Sequence, residues 1–517
     1  MCTAALASLA GTLLFAASAP APNTPARALL DVSATVDLGE DLGQNFGSLF
    51  EATDPQGRVV AGAGFLGLYN TMFRADRHTL HAFVRPPEGN DVPTRAPLPR
   101  YSNDTGVYIG DVDGRLCALG KGRDRRIYLW NAAAGEWEVA PALGEGAPWD
   151  GDGQTRLGKR VLTFLNGRVM LDGKSVLEPP EVGTYHHFYY AQGHLFFYHN
   201  PADAAGTPTR LVACPWRPGE GEVDLKRAVV QPLSVAGETT WAYGQLKNYV
   251  LTVTNRGGVH RFDGKSWKAL RLPDGTSYQV YAMLNYYDRL LLGHYPSGSV
   301  YEFDGEAVTA RANFPPPMPG VAGYAREAQS LALYRGELFA GVWPWAEVWR
   351  LAPGSTQWSF VGRLFTRPPV TDQVGHPFEA EVKAYNAANN ANMVINEWGQ
   401  RATSMASADG ALYVATANKG GTPRPPDLGF PDDALLQEYG RIHRLTLPGH
   451  LSGPIRWTGA PIRFRFLVTP DWAQLFQDGR EIASAPVTPA LAAGLRGAKV
   501  TWGRGVYGPF VGKVLSP

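Results

Sequence analysis

Residues 250–267 read VLTVTNRGGVHRFDGKSW, and the same shape returns three more times along the chain. It returns as VLTFLNGRVMLDGKSVL over 161–177, as LLLGHYPSGSVYEFDG over 290–305 and as ELFAGVWPWAEVWRLAPG over 337–354. Each copy is a short apolar strand, a polar loop, a second apolar strand and a Gly-ended turn. A further turn precedes several strands: Tyr287-Asp288 before Arg289, Arg335-Gly336 before Glu337 and Asp409-Gly410 before Ala411. Several copies run on into a fourth short strand bearing Trp137, Trp267 or Trp358. Turns at roughly six- to twelve-residue spacing, with no helical periodicity between them, mark a four-stranded antiparallel unit.

Followed outward, the pattern gives eight candidate units, starting near residues 45, 104, 148, 183, 237, 276, 323 and 397. The first matches most loosely and the third is short, so seven units also fit. One such sheet cannot bury both of its faces, and neighbours arranged in a closed ring do. The predicted fold class is therefore all-β: a seven- or eight-bladed β-propeller with a small C-terminal β extension. The Asp263-Gly264 and Asp304-Gly305 turns and the late-unit Trp resemble the kelch-like and quinoprotein-like β-propeller superfamily, over roughly residues 45–447. That resemblance implies a fold and no particular chemistry. The chain lacks the regular Gly-Gly pair of kelch repeats and the full Asp box of sialidases, so no family residue carries over.

The expected division is a leader and linker at 1–27, the propeller at 45–447 with a helical and loop insertion at 368–400, and the strand extension at 455–517. Residues 4–19 are apolar and end on Ala17-Ser18-Ala19, like a secretory signal without a basic start, since the first basic residue is Arg27. A secreted or periplasmic protein is expected. In the insertion, Phe378, Val382 and Tyr385 follow Pro377 at helical spacing. In the extension, IRFRFLVT, AQLFQDGREIAS and AKVTWGRGVYGPFVGKV read as strands of a satellite sheet.

Composition removes several function classes. Lys plus Arg is 48 against 47 Asp plus Glu, a net charge of +1, with no basic stripe to neutralise phosphates, so nucleic acid is not an expected partner. The three cysteines, Cys2, Cys117 and Cys214, form no CxxC, and the last two fall in different units, which reads as free buried thiols. No nucleophile elbow, Walker A loop or Rossmann fingerprint occurs, and no cofactor or metal is expected. His186 and His187 are neighbours on a strand and point to opposite faces, which is unsuited to one metal site. Past the leader no apolar span of about 20 residues appears, so no membrane contact is expected once the leader is removed; the expected state is a monomer.

In a ring of such units the ends of the second strands meet around one mouth of the central channel. Those positions are Asn166, His199-Asn200, Asn255-Arg256, His294-Tyr295, Trp343 with Trp345, and Asn418-Lys419. They are polar or aromatic between apolar strands. The plain alternative is turn chemistry, since Asn is common where strands end. The loop 65–79 adds Arg74, Arg77 and His78, which suit either an anionic ligand or an ion-pair cluster.

Two main readings of function follow. In the first, an exported propeller binds a glycan or other polymeric ligand at the mouth, stacking Trp343, Trp345 and Tyr295 on sugar faces while Asn amides meet hydroxyls. In the second, a polysaccharide lyase cleaves uronic-acid polymers by β-elimination, with His199 or His294 as base, Tyr295 as acid, and Asn255 and Arg256 neutralising the carboxylate. A glycoside hydrolase is a third reading. It would need its carboxylates from Glu379, Asp427, Asp432 or Asp433, because the mouth positions hold none.

Overall fold

Six hairpins along the chain close on a residue held in the left-handed region: Asp113, Gln192, Lys247, Tyr287, Arg335 and Asp409, with φ between 46° and 56°. Four of them are followed by Gly, also at positive φ, the pairing a two-residue hairpin turn requires. Each turn joins the first strand of a unit to its second. The computed structural model describes residues 28–70, 73–89, 91–120, 126–140, 153–201, 207–274, 278–318, 326–371 and 373–517. The leader at 1–27 lies outside them.

Among the described residues, seven four-stranded antiparallel blades form a β-propeller. Their innermost strands are Val107–Val112, Gln154–Leu157, Thr184–Ala191, Thr240–Leu246, Gln279–Tyr286, Glu327–Tyr334 and Arg401–Ala408, which define blades 1 to 7. Blades 1 to 6 take four consecutive strands each. Blade 7 takes three, and its outermost strand is Thr94–Pro97 from ahead of blade 1, in antiparallel register with 443–446. The ring is thus closed by backbone hydrogen bonds between the two ends of the propeller segment. Neighbouring blades also share apolar cores. Leu195 and Phe164 sit in one cluster across blades 2 and 3, Tyr243 and Phe196 across 3 and 4, and Ala406 and Ile109 across 7 and 1.

The unit expected near residue 45 is not a blade. Gly47–Thr53, Val59–Phe65 and Thr79–Val84 pair with one another and with His450–Pro454 and Lys499–Trp502 in a five-stranded sheet. A second five-stranded sheet joins Leu30–Asp37 to Ile462–Val468, Trp472–Gln477, Arg480–Pro486 and Lys513–Ser516. One apolar core, including Phe50, Phe65, Phe464 and Phe466, lies between them. Of the ten strands of this sandwich, six lie between His450 and Ser516 and four come from the N-terminal part of the chain. Alternation along Leu30–Asp37 (burial on every second residue) is the mark of a sheet covered on one face.

The sandwich docks on the propeller face that carries the first-to-second strand turns. Gly193 donates its N–H to Leu42 O at 2.8 Å, and the Arg335 N–H meets His450 Nδ1 at 3.2 Å. The fully buried Arg335 guanidinium is held by Asp91 and Glu337. A Cβ on Gly336 would come within 2.5 Å of the Phe83 ring, so the close approach of sheet to turn requires glycine there.

From this face residues 66–70 and 73–79 enter the channel. Leu68–Asn70 pairs antiparallel with Leu284–Ala282 of blade 5. Asn70, wholly buried, reaches two further blades: its Nδ2 donates to Leu331 O at 2.7 Å and Met405 O at 3.0 Å, and its Oδ1 accepts from Leu331 N at 2.8 Å. Tyr69 donates to Trp241 O at 2.8 Å. The hairpin is a plug. Replacing Asn70 with Ala leaves one N–H and two carbonyls of inner strands without partners, and is expected to cost about 2–4 kcal/mol. Urea unfolding measures this; a loss under about 1 kcal/mol would mean water or backbone movement replaces the amide.

Candidate functional site

The sandwich covers one mouth, and the hairpin enters the channel from that side; the second mouth lies opposite. It carries the loops between second and third strands, where the sequence placed its candidates. Five innermost strands share a feature there. Each opposes its neighbour with one residue too many, a β-bulge, at or beside His187, Trp241, Tyr281, Gln329 and Thr403. A bulge leaves its extra residue out of the ladder and re-aims the side chain.

These residues meet across blade boundaries. The ring of His187 lies 5.6 Å from that of Trp241, and Trp241 lies 5.7 Å from Tyr281, an aromatic arc spanning blades 3, 4 and 5. Glu327 and Arg401 of blades 6 and 7, Tyr295 of blade 5 and Tyr108 of blade 1 all act on the Tyr281 phenol, which burial and the Glu327 charge push up. Arg401 Nη1 stands 3.4 Å from Glu327 Oε2. Burial lifts the Glu327 carboxyl to about 7 against the pull of Arg401, and burial lowers His187 to about 4. Four buried polar atoms of this group have no hydrogen-bond partner among the described residues: Trp241 Nε1, Glu327 Oε1, Gln329 Oε1 and Arg401 Nε. Buried polar atoms are normally satisfied, so this is a set of donors and acceptors of the kind a ligand completes.

The sequence candidates divide around this arc. Tyr295 belongs to it, 5.9 Å from the Trp343 ring. Trp343 is buried under His376 at 4.9 Å and stacked by Arg401 at 5.1 Å. Trp345 is fully buried beside Arg363, with Met318 and Trp349. Neither Trp offers the exposed shelf expected, because the insertion packs over them. Gly399 lies so near Trp343 Nε1 that a Cβ would stand 2.6 Å from it, and Trp345 bridges Gln400. The insertion holds the helix Glu379–Asn389, with Val382 facing the core. It is braced by the loop before 442, where Phe430 stacks on Phe378 at 5.6 Å.

His294 lies on the other face of its strand from Tyr295. It packs 4.1 Å from Tyr278 inside blade 5's contact with blade 4, bonded to Ser297 Oγ at 2.8 Å and lowered to about 4 by burial. His199 packs on Tyr185 at 4.9 Å and meets Arg210 Nε at 3.1 Å. The described side chains therefore bring neither His to Tyr295, and the acid–base pairing of the elimination reading has no shared point there. Asn166 is an exposed left-handed turn residue. Asn255 holds its own turn, accepting from Thr239 N at 2.9 Å, and Arg256 is exposed beside it. Asn200 ends its strand opposite Thr184. Asn418 is buried with Nδ2 on Thr422 O at 2.7 Å, its Oδ1 unpartnered, and Lys419 follows in a single 3-10 turn.

Arg74, Arg77 and His78 serve the plug. Arg74 stacks on Tyr189 at 4.4 Å and donates to Phe188 O. Arg77 and His78 both pair with Asp41 at 2.9 Å, and they hold its carboxyl far below the usual range despite burial. The ion-pair alternative describes this cluster, buried instead of on the surface. Among the described residues no group of three or more His, Cys, Asp or Glu could hold a metal ion, and no helix is long and apolar enough to cross a membrane. Cys117 and Cys214 are free and buried.

The arc was within reach of the sequence. Trp241, Tyr281, Gln329 and Thr403 each precede a small residue (Ala242, Ala282, Ser330, Ser404) in the first strand of a unit. Aligning first strands, and not only second-strand ends, superposes them.

No family model matches the chain, and no curated protein does. Among solved structures, it is similar to the computationally designed Ika8 protein at 12% identity, covering 79% of this chain and 99% of that one with a TM-score of 0.36. It is similar also to the β-propeller domain of Myceliophteria thermophila Cps50 (Swd1) at 11%, covering 69% and 99%, TM-score 0.33. Saccharomyces cerevisiae Sqt1 matches at 10%, covering 75% and 97%, TM-score 0.37. Likeness at this level concerns the fold alone.

Glu327 supplies a test of the arc's electrostatics. Its carboxyl is raised from the usual 4.5 to about 7 in the folded chain. Its contribution to stability is therefore full below 4.5 and is lost as pH rises through 7. Glu327→Gln keeps the shape and stays neutral. Its stability relative to the parent is expected to rise across that window, read from melting temperatures between about pH 4 and 8. A gap that does not change with pH would show that the carboxyl titrates at its ordinary value in the folded chain.

Proposed function

We propose that this protein is an exported recognition propeller that takes a sugar unit of an extracellular glycan into its open mouth. The observation that carries the reading is the aromatic arc His187–Trp241–Tyr281, with Glu327 and Arg401 acting on the Tyr281 phenol and polar atoms of Trp241, Glu327, Gln329 and Arg401 unpartnered among the described residues. Aromatic faces cover the C–H face of a sugar, while Trp241 Nε1–H donates to a hydroxyl and Gln329 Oε1 and Glu327 accept. The plug adds a constraint. A polymer cannot thread a channel that Leu68–Asn70 occupies, so what enters is a chain end or a branch. The kelch-like or quinoprotein-like affiliation suggested by the Asp-Gly turns belongs to the same proposal, as does a monomeric state. Binding alone accounts for this arrangement, and no described acid–base pair calls for a bond-breaking step.

A glycan array followed by calorimetry on the best ligand tests the reading. Binding is expected for one class of glycan end. Trp241→Ala and Tyr281→Ala should each weaken it about tenfold or more. Asn166→Ala, altered at an exposed turn, should leave affinity unchanged. A silent array, or a bound glycan indifferent to both aromatic changes, would overturn it.

A further inference from the structure

Two histidines lie where the sandwich meets the propeller. His450 opens the strand His450–Pro454, and His81 lies on the neighbouring Thr79–Val84, opposite Ser452. Both are buried, and their rings are 5.7 Å apart. Tyr334 of blade 6 packs 4.7 Å from His450, and Tyr507 stacks 6.1 Å from His81. The turn of blade 7 closes on the same place: a Cβ on Gly410 would stand 3.4 Å from His450 O.

Hydrogen bonding fixes the state of His450. The Arg335 N–H points at its Nδ1 at 3.2 Å. A backbone amide only donates, so Nδ1 presents a lone pair and the neutral ring carries its hydrogen on Nε2. A second proton has to go on Nδ1, where a donor already points, and it breaks a hydrogen bond that joins the sandwich to the blade 6 turn. His450 Nε2 and both nitrogens of His81 have no partner among the described residues. No acceptor there is set to receive an added N–H, and burial makes an unmet donor costly.

The surrounding charges oppose protonation too. Arg335 and Arg350 of blade 6 and Arg85 of the sandwich share two carboxylates, Glu337 and Asp91, which leaves one positive charge in excess. Blade 7 presents Asp409, which accepts from Leu116 N at 3.4 Å, and Arg444 acts on that carboxyl. Asp76 at the base of the plug favours a charged His81 and is outweighed by burial. The Tyr334 and Tyr507 phenols are pushed up by burial and stay neutral. Burial, His81 and Arg335 hold His450 well below its usual range, and burial lowers His81 to about 4.

We propose that His81 and His450 are an acid-sensitive latch between sandwich and propeller, closed while both rings are neutral and released as they take up protons. Protonation strips the Arg335 N–H of its acceptor and adds charge beside a cluster that already has one cation too many. The docked form favours the neutral rings, so the latch is fully held above about pH 6.5 and its hold is lost as pH falls from there toward about 4. Thr79–Val84 is the strand by which the chain leaves the plug, so release loosens the plug's footing as well.

Hydrogen exchange on the unaltered protein, corrected for the intrinsic pH dependence of exchange, reads the latch at the Arg335 amide and along His450–Pro454. Each histidine freed to an ordinary value near 6.5 favours opening by about thirtyfold between about pH 7.5 and 5. These amides are expected to lose at least that much protection, while Thr240–Leu246 of blade 4 keeps its own. His450→Asn puts an amide oxygen near the place of Nδ1 and cannot take up a proton; it should lower the response by about thirtyfold. Nitrogen NMR of the unaltered protein gives a second reading, with His450 Nδ1 bare and Nε2 protonated at about pH 7.5. Protection that does not change with pH, an equal loss in blade 4, a His450→Asn protein with the full response, or the opposite tautomer would each overturn the proposal.

Discussion

Every blade of a propeller ends inward on a strand with one free edge, a row of N–H and C=O groups facing the channel. Such edges need water or a partner. This protein meets the need with its own chain. Leu68–Asn70 takes the free edge of blade 5 as an added strand, and the Asn70 amide then satisfies blades 6 and 7. One side chain with two donors and one acceptor in use ties three blades at the axis. The plug is anchored below by the Asp41 pairing with Arg77 and His78, and on the blade 3 side by Arg74 against Tyr189. The ring, the plug and the docked sandwich therefore depend on one another through hydrogen bonds that only mutual closure provides.

The bulges follow from the same geometry. Below the bulge the inner strands run straight and close on the plug. Above it, one extra residue per strand turns His187, Trp241, Tyr281 and Gln329 out of the ladder. The mouth is thus lined by residues that regular pairing would have pointed into blade interfaces. This is how near-identical units bring His187, Trp241 and Tyr281 into ring contact across blades 3, 4 and 5.

What could be read in advance was whatever is local. Four-strand units announce themselves by turns such as Arg335-Gly336 and by apolar runs such as Leu338–Val342, and seven of the eight proposed starts fall within a few residues of a blade. The unit proposed at 45 failed because Val59–Phe65 and Thr79–Val84 look like any other strands; what differs is their partners, Gly453 and Leu451 for the latter, more than three hundred residues away. Pairing at that range leaves no mark on local pattern. The burial of Trp343 and Trp345 was equally hidden, since it depends on the insertion folding back over them. Tyr295 could be placed at the mouth because it ends a strand, and His294 beside it could not be separated from it without knowing which face of the strand meets blade 4.

The plug also sets an order of events. Residues 66–79 leave the ribosome before any strand that will surround them, and so do Leu30–Asp37 and Thr94–Pro97, whose partners lie beyond residue 440. Pairings of such long sequence separation form late and slowly. The early segments must stay unpaired until the last blade exists, and then three acts (locking the ring, seating the plug and completing the sandwich) draw on the same late-arriving strands. A chain cut short before residue 443 leaves its ring unlatched, and one cut before residue 462 also leaves Leu30–Asp37 without a partner.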